Sequence, residues 1–175
     1  MIRLSGQIFR KQQPAIDGMQ EEYSMELTLD RFRSAHAESF EQAMAEIRSG
    51  RKESHWIWYV FPQIQGLGRS ATAQYYEIQS REEALAFWAD PVLSRHLVEA
   101  SEAVLKWENP LRAHLHFPDD LKLRSSMTLF LLVSGEPVFQ EVLNQFFDGS
   151  LDGYSVQKYR SWEKEREEEA TSLWR

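Results

Sequence analysis

The sequence contains no cysteine. That absence excludes disulfides, thiolate zinc sites, iron–sulfur clusters and cysteine nucleophiles, and it fits a reducing compartment. Long apolar runs are also missing. No window approaches the ~18 consecutive apolar residues of a membrane-crossing helix, and the opening MIRLSGQIFRKQQPAIDG has no signal-peptide core. Positive charge is in deficit, with 20 Lys and Arg against 27 Asp and Glu, a formal net charge of −7. General nucleic-acid binding, which needs a cationic surface to displace counterions, is therefore not expected. The reading is a soluble cytoplasmic protein.

Glycine and proline are sparse, 8 and 6 in 175 residues, so they punctuate the chain rather than form linkers. A chain of this length can bury roughly 70% of its unfolded surface without a metal or disulfide. In DRFRSAHAESFEQAMAEIRSG the apolar residues Phe32, Ala35, Phe40, Ala43, Met44 and Ile47 recur at helical spacing. They predict a helix over 31–48, with Asp30 as its cap and Gly50 past its end. Arg69 to Ile78 reads as a short helix. Ser80-Arg-Glu-Glu83 is a capping box, and Asp90-Pro91 pairs a capping Asp with a proline at the first helical position. Further helices are predicted near 81–89, 91–106, 119–133, 137–147 and 155–170, with Ser155 capping the last. The expectation is an all-α, compact single-domain bundle of about six or seven helices over 29–175. Residues 1–28 read as an N-terminal extension. Pro14, Asp17 and Gly18 suggest a turn there, and LSGQIF and YSMELTL suggest a short extended or hairpin arm.

Chemistry is concentrated in SHWIWYVFPQIQGLGRS, residues 54–70. One reading makes its rings core. The other makes them a pocket wall, with Trp56 and Trp58 sharing a face of an extended chain and His55, Gln63 and Arg69 turned to a ligand. His55 titrates near neutrality and can move a proton. Gly66-Leu-Gly-Arg-Ser70 reads either as a glycine corner or as an anion site in which free amides are joined by Arg69 and Ser70. In DDLKLRSSMT, Asp120 and Arg124 have the spacing of an intrahelical ion pair. Ser125, Ser126 and Thr128 open an apolar half-helix, where a buried hydroxyl needs either back-bonding or a ligand. The five histidines are scattered and no Gly-x-Ser-x-Gly elbow occurs, so no metal site, no cofactor and no serine-hydrolase centre is expected. The acidic run from Glu163 to Glu169 reads as a solvated helix face.

Three motifs in order, GRKESHWIWYVFPQIQGLGRSATAQYY, DPVLSRHL and PDDLKLRSSMTLF, resemble the bacterial and fungal family known as domain of unknown function 1810, some members of which carry a calpastatin label. The resemblance runs from about Asp30 to Tyr154 and implies a compact, mainly helical fold. It draws attention to Gly50, Arg51, His55, Trp56, Pro62, Gln63, Gly66, Gly68, Ser70, Lys122, Ser125, Ser126 and Thr128 without assigning them chemistry. The chain departs from the family pattern at His36, where the family has glutamine, and at His116-Phe117, where it has Phe-Gly.

The expected function is binding of a small anionic ligand, nucleotide-like or ADP-ribose-like, in a polar and aromatic pocket. Arg51, Trp56, Trp58, Gln63, Arg69, Ser70, Lys122, Ser125 and Ser126 would line it. In a hydrolase or transferase, His55 would be the acid–base group and Arg69 with Ser125 or Ser126 would stabilise anionic oxygen. The rival class is a non-catalytic protein-interaction module whose aromatic motif is purely core. The partner of such a module is not legible.

Overall fold

Helix α1 runs from Gln13 to Ser49 without interruption. The computed structural model describes the backbone of residues 13–174 and the side chains of residues 28–174. Over residues 13–28 the expected hairpin or extended arm is corrected to helix, and YSMELTL lies inside it. LSGQIF falls outside the described residues. Pro14 does not break α1 because it sits in the first turn, where its missing N–H has no acceptor to lose. Asp30 is consequently an interior residue, paired with Arg33 at 3.1 Å, and not a cap.

The far end of α1 is closed by a Schellman motif. Gly50 takes φ +73°, its N–H donates to Ile47 O at 3.0 Å, and the Arg51 N–H donates to Glu46 O at 3.1 Å. Two aromatic side chains clasp the same end: Trp107 Nε1 donates to Ile47 O and His114 Nδ1 donates to Gly50 O, each at 2.8 Å.

The remaining elements are α2 (Ile57–Val60), α3 (Ala71–Tyr76), α4 (Arg81–Ala89), α5 (Pro91–Val104), a 3₁₀ turn (Leu111–Ala113), α6 (Asp119–Ser134), α7 (Pro137–Phe147) and α8 (Gly153–Ser172). Of these, the short helix α2 and the 3₁₀ turn were not expected from the sequence, and the others lie where helices were expected. Helix α2 ends just before Phe61-Pro62, as the steric demands of proline require. Its helical turn separates Trp56 from Trp58, so the shared extended face does not form. Trp56 is buried, while Trp58 is only partly so.

Local capping chemistry sets most helix starts. Ser80 Oγ accepts from the Glu83 N–H at 3.1 Å. The Glu83 carboxylate reaches back one residue further than a capping box requires, to the Gln79 N–H at 3.4 Å, and also pairs with Arg31. Asp90 Oδ1 accepts from the N–H groups of Val92 and Leu93 at 2.9 and 3.0 Å, ahead of Pro91. For α8 the cap is Asp152, not Ser155; Ser155 lies buried inside the helix and donates both its N–H and its hydroxyl to the Asp152 carboxylate. Asp120 and Arg124 do not pair either. Asp120 accepts from Arg112 at 3.2 Å, and Arg124 secures the turn before α8 through Ser150 and Leu151.

Helix α5 packs on α1 and α7, and α6 on α7, α8 and α4, with α2 wedged among α1, α3, α5 and α6. Phe87, Leu93, Leu97, Phe130 and Phe139 fill the centre with no exposed surface. Among the described residues no strand forms. A single parallel bridge joins Ile64 to Ile78, and no helix is long and apolar enough to cross a membrane.

That bridge holds the glycine corner. Gly66 adopts φ +102°, and a Cβ there would collide with the Tyr154 hydroxyl, which donates to Gln65 O at 3.1 Å. Gly66→Ala is expected to lower stability by about 1–3 kcal/mol through backbone strain alone. Tyr154→Phe in the same chain should recover only the part due to the clash. A melting temperature unchanged by Gly66→Ala would refute this account.

Candidate functional site

The loop between α1 and α2 carries three consecutive charged residues, Arg51, Lys52 and Glu53, and its shape is imposed by Glu46. From the last turn of α1 the buried Glu46 carboxylate accepts the N–H groups of Glu53 and Ser54 at 2.8 and 2.9 Å, the Ser54 hydroxyl at 2.6 Å and Trp56 Nε1 at 2.7 Å. Burial pushes its pKa upward, but these donors, Ser54 foremost, outweigh burial and lower it to about 2. An ionised carboxylate therefore ties the loop to the helix and fixes where Lys52 and Trp56 leave the backbone.

Lys52 meets the start of α6. Its Nζ lies 3.1 Å from Asp119 Oδ2, and Lys122 Nζ lies 2.6 Å from Asp119 Oδ1. The Lys52, Lys122 and Asp119 side chains are only 15%, 14% and 18% exposed, so the cluster is largely withdrawn from water and its charges are weakly screened. Burial raises the Asp119 pKa, yet the hydrogen bonds and charges of Lys122 and Lys52 prevail and hold it below its ordinary value. Lys122 Nζ sits 3.6 Å above the centre of the Trp58 ring, and Lys52 Nζ lies 5.6 Å from that of Trp56. Two ammonium groups thus share one carboxylate on an aromatic floor, leaving one excess positive charge.

Of the residues singled out by sequence, Trp58 and Lys122 are brought into this cluster. Arg51 stands beside it in the chain, exposed, and pairs with Glu53 at 3.4 Å. His55 is on the same loop, three residues beyond Lys52, and faces solvent. Trp56 is a core residue anchored to Glu46. Gln63 is buried, with its carbonyl accepting from the Ile78 N–H at 2.8 Å. Ser125 back-bonds to Leu121 O at 3.0 Å, and Thr128 to Arg124 O at 2.8 Å while accepting from the Asp152 N–H. Ser126, one turn along α6 from Lys122, is fully buried, and among the described residues its Oγ has no hydrogen-bond partner.

Arg69 and Ser70 are exposed on the glycine corner. Ser70 Oγ is occupied as the α3 cap, accepting from the Ala73 N–H. The Gly68 N–H donates to Glu77 Oε1 at 2.8 Å, so an internal carboxylate fills the place where an anion was expected. Asp119 was read from sequence only as part of a helix start. Its i, i+3 spacing to Lys122 was the one local signal available; the approach of Lys52 comes from a distant segment.

His36 is almost fully buried against α2. Its Nε2–H donates to Tyr59 O at 2.8 Å, which leaves Nδ1 to accept from His96 Nδ1 at 2.9 Å. Burial lowers the His36 pKa to about 4 against the support of the Tyr59 carbonyl, and the neighbouring His96 adds to the lowering. Among the described residues no group of three or more His, Cys, Asp or Glu side chains is placed to hold a metal ion.

The fold is a helical bundle with one charged, aromatic cluster where the α1–α2 loop meets α6. Residues 26–158 match the family described as "Protein of unknown function (DUF1810)", and the chain belongs to that family. The solved structure of the conserved hypothetical protein Rv1873 from Mycobacterium tuberculosis is similar, with 37% identity and a TM-score of 0.73, covering 75% of this chain and 96% of that one. Among proteins with curated descriptions, none matches.

Proposed function

We propose that the protein binds a small anionic ligand with a planar, nucleotide-like portion at the Lys52–Asp119–Lys122 cluster. The observation that carries this reading is the charge imbalance in a largely buried setting: two ammonium groups and one carboxylate, with the Trp58 ring beneath Lys122. A phosphate or carboxylate oxygen gains most where positive charge is poorly screened and already ordered. The Trp58 ring offers a flat apolar neighbour for a base or sugar. Arg51 and His55 form the solvent rim of the same loop. His55 keeps its proposed role there as the group able to exchange a proton with a bound ligand.

The test is a thermal-shift and calorimetric screen of nucleoside phosphates, ADP-ribose and sugar phosphates. A ligand at ~100 times its dissociation constant should add roughly 2.7 kcal/mol of stability. Lys122→Met is expected to abolish that shift while the protein stays folded, because Asp119 keeps Lys52 as a partner and is spared the ~3–5 kcal/mol cost of an unpaired buried charge. His55→Ala should leave the fold intact and weaken binding or turnover. Ligand affinity unchanged by Lys122→Met would refute the site. A melting temperature lost in His55→Ala with affinity retained would make His55 scaffold.

A further inference from the structure

From α2 the Tyr59 side chain also enters a second site, an open cleft of about 650 Å³ between α1 and α3. Its lining includes Tyr59, Tyr75 and Tyr76 from α2 and α3, and Arg31, Ser34 and Glu38 from α1. The volume falls in the range typical of small-ligand sites.

The rings form a corner rather than a stack. Tyr59 and Tyr76 lie 5.4 Å apart at 57°, and Tyr75 and Tyr76 lie 4.8 Å apart at 81°. Tyr75 is 57% exposed and lines the cleft, so its ring is accessible to a ligand.

The charges in the cleft oppose those of the lysine cluster. Among the described residues Arg31 is the one cation in its lining, and its donors are already committed: Nε to Tyr75 O, Nη1 to Thr28 O, and Nη2 to Glu77 O and the Glu83 carboxylate. Glu38 forms no ion pair among the described residues, while Asp30 is shared with Arg33. Burial first, then Tyr75, Tyr59 and Glu38, raises the Tyr76 pKa above its ordinary value, with Arg31 opposing. The Tyr76 phenol therefore stays neutral near physiological pH, and negative potential collects in the cleft from Glu38 and the ring faces.

We infer that this cleft binds the alkylated ammonium group of a small amine, with Tyr59, Tyr75 and Tyr76 as the aromatic corner and Glu38 as the counter-charge. An ammonium carrying methyl groups suits the site because it gains from both aromatic faces and a carboxylate and loses little hydration on entry. The inference is independent of the anion site, since the two share no lining residue.

The test uses choline and tetramethylammonium as probes, with 3,3-dimethylbutan-1-ol as the uncharged counterpart of choline, titrated by NMR on the full chain. Both cations should bind saturably, with their N-methyl signals moved upfield by the rings. The neutral alcohol should bind about tenfold more weakly. Tyr75→Ala and Glu38→Gln, both at exposed positions and outside the lysine cluster, should each weaken choline binding by about tenfold at an unchanged melting temperature. Lys122→Met should leave choline binding intact. Absence of saturable binding by either cation, equal binding of the alcohol, or wild-type affinity in both cleft variants would overturn the proposal.

Discussion

Trp56→Ala should destabilise the protein by about 3–5 kcal/mol, the usual cost of truncating a large buried aromatic ring. Trp56 is 1% exposed and its indole N–H is one of five donors on the Glu46 carboxylate. The substitution therefore opens a cavity and removes a hydrogen bond to a charged acceptor at once. Trp56→Phe separates the two effects, because it keeps most of the ring and loses the donor, for about 1.5–3 kcal/mol. Combined with Glu46→Gln, it should be non-additive by roughly 0.5–3 kcal/mol, since both changes strike the same contact. Urea titrations of the four proteins, with unchanged slope, give the cycle. A Trp56→Ala protein that melts like the parent would remove the packing account of the α1–α2 loop, and with it the argument that Glu46 positions Lys52.

Stability should fall as pH drops from about 6.5 to about 4, and His36 is the reason. Its pKa is near 4 when folded, against an ordinary value of 6.5. In that window the unfolded chain binds a proton that the folded chain refuses, so acid favours unfolding. The full contribution is present above pH 6.5, is lost progressively on acidification, and stops changing below pH 4, where both states are protonated. Its size is about 3 kcal/mol. Glu46 adds a second, lower window: its folded pKa near 2 lies below the ordinary 4.5, so its contribution is present above pH 4.5 and drains away toward pH 2. His36→Gln keeps an N–H for the Tyr59 carbonyl but cannot titrate. Its stability curve should be flatter than that of the parent between pH 6.5 and 4 and parallel to it below. Equal slopes in the upper window would show that His36 is not held neutral by the fold.

Helix starts were legible because capping is chemistry between near neighbours. Ser80, Asp90-Pro91, Pro137 and Asp120 at the start of α6 each satisfy or spare amides within four residues, and the structure places helices there. The amphipathic spacing of Phe32 to Ile47 likewise needed no partner to be recognised. The beginning of α1 was not legible. Pro14, Asp17 and Gly18 are turn formers by composition, yet a proline in a first turn and a single glycine are both compatible with a helix. The aromatic stretch misled for a related reason. Its sequence does not reveal that one helical turn sends Trp56 into the core and leaves Trp58 at the surface under Lys122.

By itself, then, the sequence determined an all-helical bundle, its family, most of its helix boundaries and the two short segments, around Trp58 and Lys122, that supply the proposed anion site. Tertiary structure alone decided that Lys52 and Lys122 share Asp119, that Glu77 fills the glycine corner, that His36 is buried beside His96, and that three tyrosines from α2 and α3 meet Glu38 of α1 in one cleft. The physical reason is range. Caps and helical periodicity act over three or four residues, whereas burial and the pairing of charges depend on which distant segments the packed core brings together.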